Sequence, residues 1–206
     1  EVLMVSPYFV NHDMAIRALG GVPIEAPVVE ADAFTPRWSA IEPRVTTRTR
    51  AVVICSPSNP TGAVIDGHEL PAIVDELRSR GVLVFSDETY LHFVHHDCPA
   101  EVGIQEGRPD DPASAAAVAD WRDNVVVVGT FSKSFGMTGW RVGFLHGPAE
   151  RVADVLTVHD ALVTCAPVIS QYAALAALEQ GDAFIAEFAA EFRRRRDHVV
   201  ERLDAL

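Results

Sequence analysis

The chain has 206 residues, 49% of them hydrophobic and 22% charged, which is enough apolar material to bury one sizeable core and part of a second. A formal net charge of -12, with no basic stripe to offset it, argues against nucleic acid as a partner. No apolar run approaches the roughly 20 residues that a membrane helix needs, so no membrane partner is expected.

Cys55, Cys98 and Cys165 are odd in number and widely spaced, without a CxxC pair, as expected of free thiols in a reducing compartment. The start, EVLMVSPYF, lacks a basic region followed by a long apolar stretch. A cytoplasmic protein is expected. Because the chain opens on a strand-like segment and not on Met, it is expected to be part of a longer one.

Short Val- and Ile-rich runs alternate with helix-like segments, the pattern of a mostly parallel sheet with helices on both faces, a three-layer α/β/α fold. Strands are expected at residues 2–5, 22–26, 51–55, 82–85, 125–128 and 142–145. A first helix begins near His12 and stops at Gly20-Gly21. Between the third and fourth strands, Asp66 and Glu69 form a D-x-x-E helix start and Gly81 supplies the stop. Residues 106–123, opening on EGRPDDPAS, are expected to form an exposed excursion.

From Pro148 the strands give way to helices at 148–163, 168–180 and 182–206. This shift places a domain boundary near Gly181, with residues 1–180 as the main domain and 181–206 as the first helix of a second, small α/β domain. The run Arg193 to Arg196 lies in a Glu-rich helical context and is expected to be a solvated face, not a binding patch.

Lys133 is the only lysine; the other sixteen basic residues are arginines. An amine can lose its proton and attack a carbonyl to form an imine, whereas a guanidinium stays protonated. In an open parallel sheet, ligands gather outside the carboxyl ends of the strands. Those ends carry SPSNPTG after the third strand, Asp87, Glu88 and Tyr90 after the fourth, and Thr130, Ser132 and Lys133 after the fifth. An amide, a carboxylate, a phenol, two hydroxyls and an amine are thus directed toward one edge of the sheet.

The motifs SNPTG, SDETY and TFSKSFGMTGWRVG, in this order and with Arg141 eight residues beyond Lys133, resemble the class I/II aminotransferases of the pyridoxal-phosphate fold-type I (aspartate aminotransferase) superfamily. The resemblance runs from SPYFVNH to SQYAALAAL. It implies pyridoxal 5'-phosphate as cofactor, held as a Schiff base by Lys133, which then serves as the base that moves the substrate's α-proton. Such an amine must be neutral part of the time, so a buried position near cationic charge is expected.

By the same resemblance Asp87 faces the pyridine nitrogen and keeps it protonated, while Tyr90 and Asn59 hydrogen-bond the cofactor's phenolic oxygen. The Asn59–Pro60 bond is expected to be cis. Thr130, Ser132 and Arg141 hold the phosphate, and Gly136, Gly139 and Gly143 let their turn bend close to it. Phe9 stacks on the ring, although Tyr8 stands next to it, and Glu88 points away. The cluster His92, His95, His96, Asp97 and Cys98 has histidine spacing that would suit a metal on a helix, but packing or surface roles are expected and no metal is implied.

The family pattern also includes a phosphate-binding helix start before the first residue and a substrate-carboxylate arginine after the last. The expected protein is therefore a homodimeric aminotransferase that moves an amino group from an L-amino acid to a 2-oxo acid in two half-reactions, of which this chain carries most of the large domain. Carbon-sulfur β-lyases, ring-forming synthases of the aminocyclopropane-carboxylate type and decarboxylases share the same cofactor contacts and stand as alternatives. A non-catalytic aminotransferase-like sensor domain and an inert fragment complete them.

Overall fold

The computed structural model describes residues 1–94 and 114–206. Six strands, β1 (Val2–Ser6), β2 (Pro23–Pro27), β3 (Ala51–Cys55), β4 (Leu83–Asp87), β5 (Val125–Thr130) and β6 (Gly143–His146), form one sheet in the order β2-β1-β3-β4-β5-β6. The first five run parallel, and β6 pairs antiparallel with β5. Each of these strands overlaps a segment expected from the sequence. Leu3, Val52, Val84 and Val125 are register neighbours across four strands, and all four are fully buried. Strands covered on both faces carry such continuous apolar runs.

Seven α-helices accompany the sheet among the described residues, besides short 3-10 turns: α1 (Val10–Ala18), α2 (Trp38–Ile41), α3 (Glu69–Ser79), α4 (Phe131–Ser134), α5 (Ala149–Leu162), α6 (Val168–Gln180) and α7 (Asp182–Asp204). The β3-α3-β4 connection moves toward one edge of the sheet and the β1-α1-β2 connection toward the other. Right-handed crossovers therefore put α3 and α1 on opposite faces. α3 buries Leu70, Ile73, Val74 and Leu77, an i, i+3, i+4, i+7 stripe, against the core that also holds Ile54, Ile65 and Val127.

The stop of α3 is as expected. Gly81, at φ +66°, donates to the Arg78 carbonyl, and Val82 N–H reaches back to Leu77, both at 2.9 Å. Its start differs from a capping box. The Asp66 carbonyl oxygen accepts from Glu69 and Leu70, but the Glu69 carboxylate turns to α2, where it accepts from Trp38 N–H at 3.3 Å and pairs with Arg37. A tertiary partner has displaced the local one.

The expected exposed excursion at 106–123 is corrected over its described part, residues 114–123. Ala115, Val118 and Trp121 are buried there, and Ala115 N–H donates to Glu88 at 2.8 Å. A part-buried acceptor at the end of β4 anchors what composition alone marks as loop, while Ala117, Ala119, Asp120, Arg122 and Asp123 stay exposed. Beyond Pro148 only helices follow. Phe184, Phe188 and Phe192 recur every fourth residue on α7, and Phe93 packs on the last two, with ring centroids 5.9 and 5.1 Å away. Farther along, Arg194 and Arg195 are exposed and bond Glu191, their i−3 and i−4 neighbour, as a solvated face does. Among the described residues no helix is long and apolar enough to cross a membrane.

Candidate active site

Because β1 feeds a crossover in one direction and β3 in the other, their connections diverge and leave a crevice at the carboxyl ends. A cleft of about 320 Å³ lies there, a volume within the range of small-molecule sites. Phe9 enters it from the turn after β1, Asn59 from the loop after β3, and Asp87 and Tyr90 from the end of β4. Thr130, Ser132, Lys133 and Arg141 come from the end of β5 and the loop leading to β6. All eight residues singled out in the sequence line this one cleft.

Asp87 sits at the centre of a hydrogen-bonded cage. Its Oδ2 lies 3.1 Å from His12 Nε2, and its Oδ1 accepts from Thr89 through both the backbone N–H and the hydroxyl. Burial pushes the carboxyl up, but the bonds from His12 and Thr89 outweigh it and hold Asp87 below its ordinary value. The carboxylate is therefore ionised at neutral pH. Beside it, burial and then the Asp87 charge push the Cys55 thiol up to about 12.

His12 and Thr89, with Asn11, Cys55 and Thr138, are the lining or supporting residues that sequence reasoning missed. Thr89 lies inside the SDETY motif, where Asp-x-Thr is a local turn signal. His12 lies 75 residues from its partner and carries no such signal. It is placed by α1, whose start also puts Phe9 against it, edge to face at 5.7 Å. Tyr8 points elsewhere and donates to Glu25 on β2 at 3.1 Å, so of these two neighbours it is Phe9 that lines the cleft.

Asn59 Nδ2 donates to the Tyr90 hydroxyl at 3.4 Å, which brings amide and phenol together from strands β3 and β4. Burial pushes the Tyr90 phenol up, against the pull of that hydrogen bond. The Asn59–Pro60 bond is cis, as are Ser6–Pro7 and Ser56–Pro57. Glu88 faces away from the cleft, where its carboxylate accepts from Ser86 and Ala115.

Lys133 departs from expectation in one respect. The single turn of α4 buries Phe131, Ser132 and Ser134 and leaves Lys133 exposed on the cleft side, not enclosed. Thr130 caps this turn, its hydroxyl accepting from Ser132 N–H at 3.1 Å. Arg141 adopts the left-handed conformation at φ 54° and donates to the Thr138 carbonyl at 3.0 Å. Of the turn's glycines, Gly136 has φ +62°, and a Cβ on Gly143 would stand 2.7 Å from the Gly129 carbonyl; Gly139 lies in open space, so nothing there requires glycine.

His95, His96, Asp97 and Cys98 lie outside the described residues. His92, the remaining member of that cluster, has its Nδ1 2.8 Å from the Ser134 hydroxyl, next to Lys133.

A mostly parallel α/β sheet with a lysine, a caged carboxylate and an arginine in one cleft at the carboxyl ends of its strands has the architecture of a pyridoxal-phosphate-dependent transferase. The chain belongs to the aminotransferase class I and II family, whose pattern matches residues 1–206. Members of that family depend on pyridoxal phosphate. The chain is 37% identical over its whole length to a probable aspartate/prephenate aminotransferase of Aquifex aeolicus and 35% identical to aromatic-amino-acid aminotransferase 2 of Thermococcus litoralis, covering 50% of each. It superposes on a Thermus thermophilus aspartate aminotransferase mutant with a TM-score of 0.88 at 33% identity, over 99% of this chain and 53% of that one. The chain thus spans about half the length of the curated relatives it matches.

Proposed function

We propose that the full-length protein is an aminotransferase that moves an amino group from an L-amino acid to a 2-oxo acid, using pyridoxal 5'-phosphate in the cleft at the carboxyl ends of β3, β4 and β5. One observation carries this reading: Lys133, Asp87, Tyr90, Asn59, Arg141 and the two hydroxyls Thr130 and Ser132 line a single cleft together with Phe9. The donor set fits the cofactor. An ionised carboxylate suits a pyridinium nitrogen, an amide-phenol pair suits a phenolate, hydroxyls and a guanidinium suit a phosphate, and an aromatic face suits the ring. When bound, the cofactor supplies an aldehyde that condenses with amines and a ring that takes up the electron pair released at the substrate's α-carbon.

The protein's own share comes from its side chains. Lys133 Nζ would hold the cofactor aldehyde and, once the substrate's amine has displaced it, would be the base that takes the substrate's α-proton and returns it. Asp87, kept ionised by His12 and Thr89, holds the proton on the ring nitrogen. Tyr90 and Asn59 orient the phenolic oxygen, Phe9 covers the ring, and Thr130, Ser132 and Arg141 hold the phosphate. Residues 1–180 form most of the large domain and 181–206 the first helix of the small one. The full-length protein is a homodimer, as aminotransferases of this family typically are, and cytoplasmic, a reading supported by the free thiols of Cys55 and Cys165.

The test is transfer of ¹⁵N from a panel of labelled L-amino acids, aspartate and aromatic donors included, to an unlabelled 2-oxo acid by the full-length protein. Labelled product with parallel double-reciprocal lines supports the reading. Loss of a β-substituent or of CO₂ without nitrogen transfer overturns it in favour of a lyase or decarboxylase.

A further inference from the structure

The first turn of α6 holds a serine that the cleft's chemistry leaves unexplained. Val168, Ile169 and Tyr172 around it are 62, 68 and 68% exposed, whereas Ser170 is 3% exposed. Its hydroxyl donates to the Trp140 carbonyl, thirty residues back in the chain, at 2.7 Å. Ala174, one turn further on, is buried with Phe131, Met137 and Val142. The buried stripe of α6 is therefore seated on the loop that carries Arg141.

The bonded carbonyl matters because Arg141 is the next residue. Trp140 C=O and Arg141 N–H belong to one rigid peptide plane, so fixing the oxygen fixes the plane about which Arg141 turns. Arg141 stands at φ 54°, ψ 48°, a left-handed conformation that is unfavourable for a residue with a β-carbon and persists only when its surroundings impose it. On its other side the guanidinium donates to the Thr138 carbonyl at 3.0 Å, and the Thr138 hydroxyl donates to the Ser132 carbonyl at 3.1 Å. Ser170 anchors this circuit on the Trp140 side of Arg141, while on the other side the Val142 carbonyl accepts from the Thr130 hydroxyl at 3.4 Å.

We propose that Ser170 is a positioning residue for phosphate binding: by holding the Trp140–Arg141 peptide it aims the Arg141 guanidinium into the cleft. This rests on the reading of the cleft as a pyridoxal-phosphate site. A hydroxyl that merely satisfies a buried carbonyl would support the loop as a whole, and its loss would weaken every ligand of the cleft alike. One that aims Arg141 acts on the phosphate alone.

The experiment compares the affinities of full-length protein for pyridoxal phosphate and for pyridoxal, which lacks the phosphate, in wild type and Ser170→Ala. The expected result is a loss of about three- to tenfold for pyridoxal phosphate, the scale of one hydrogen bond, with pyridoxal unchanged. Equal losses for both ligands, or no loss for either, would overturn the inference. Ser170→Thr and Ser170→Val, which share a shape and differ in the hydroxyl, repeat the test if Ser170→Ala does not fold: Thr retains the preference for the phosphorylated ligand and Val loses it. Equal preference in this pair also overturns it. Wild-type protein that binds neither aldehyde would sink the cofactor reading itself, and the inference with it.

Discussion

At the scale of single residues, the carboxylate of Asp87 is the group whose charge state the cleft's hydrogen bonds fix most directly. It stays ionised although burial opposes it, because His12 and Thr89 supply three hydrogen bonds. Asp87→Asn keeps the shape and removes the charge, so turnover should fall about 100-fold or more, the scale of losing one preorganised electrostatic group, while cofactor affinity changes less. Steady-state kinetics beside a cofactor titration of the full-length protein would check this. The pH dependence has a definite sign. A carboxyl lowered in the folded state adds stability above its unfolded value of about 3.9, and that stability is lost as pH falls through the folded value. The stabilities of wild type and Asp87→Asn in urea should therefore start to converge as pH falls below about 4 and meet only below the folded value. Cys55, pushed up to about 12, stays a thiol at pH 8. Iodoacetamide should label the exposed Cys165 and spare Cys55, and equal labelling in a peptide map would refute the burial argument. The sequence made Asp87, Tyr90 and Lys133 legible because the strand-end motifs are local. It hid His12 because the contact that matters crosses 75 residues.

At the scale of elements, the strands were legible because Val and Ile runs bounded by turn residues are what a two-sided sheet requires. Helix stops at Gly20 and Gly81 were legible for a conformational reason, both having positive φ. Gly81→Ala should cost about 1 kcal/mol, and Ile73→Ala, which empties a fully buried position, about 2–5 kcal/mol; denaturant unfolding measures both. The start of α3 and the packing of residues 114–123 were not legible. In each, a carboxylate, Glu69 or Glu88, accepts from a backbone N–H supplied by a segment distant in the chain. The lateral order of the sheet was likewise absent from composition; once it is known, crossover handedness assigns the face that each connecting helix covers.

At the scale of the whole molecule, the chain spans about half of its relatives, and α5 and α6 present Leu162, Ile169 and Leu178 at 77, 68 and 63% exposure. Apolar surface of this kind on well-formed helices belongs against other protein. Sedimentation of the full-length protein should give twice the chain mass, and a monomer at assay concentrations would contradict the homodimer. The central claim is chemical, however: the only lysine of these 206 residues binds the cofactor. Borohydride reduction of the full-length protein with pyridoxal phosphate, followed by peptide mass spectrometry, puts that claim to the test. The expected product is a phosphopyridoxyl group on Lys133 that vanishes in Lys133→Gln; a reduced adduct only at other amines, or none at all, would refute it.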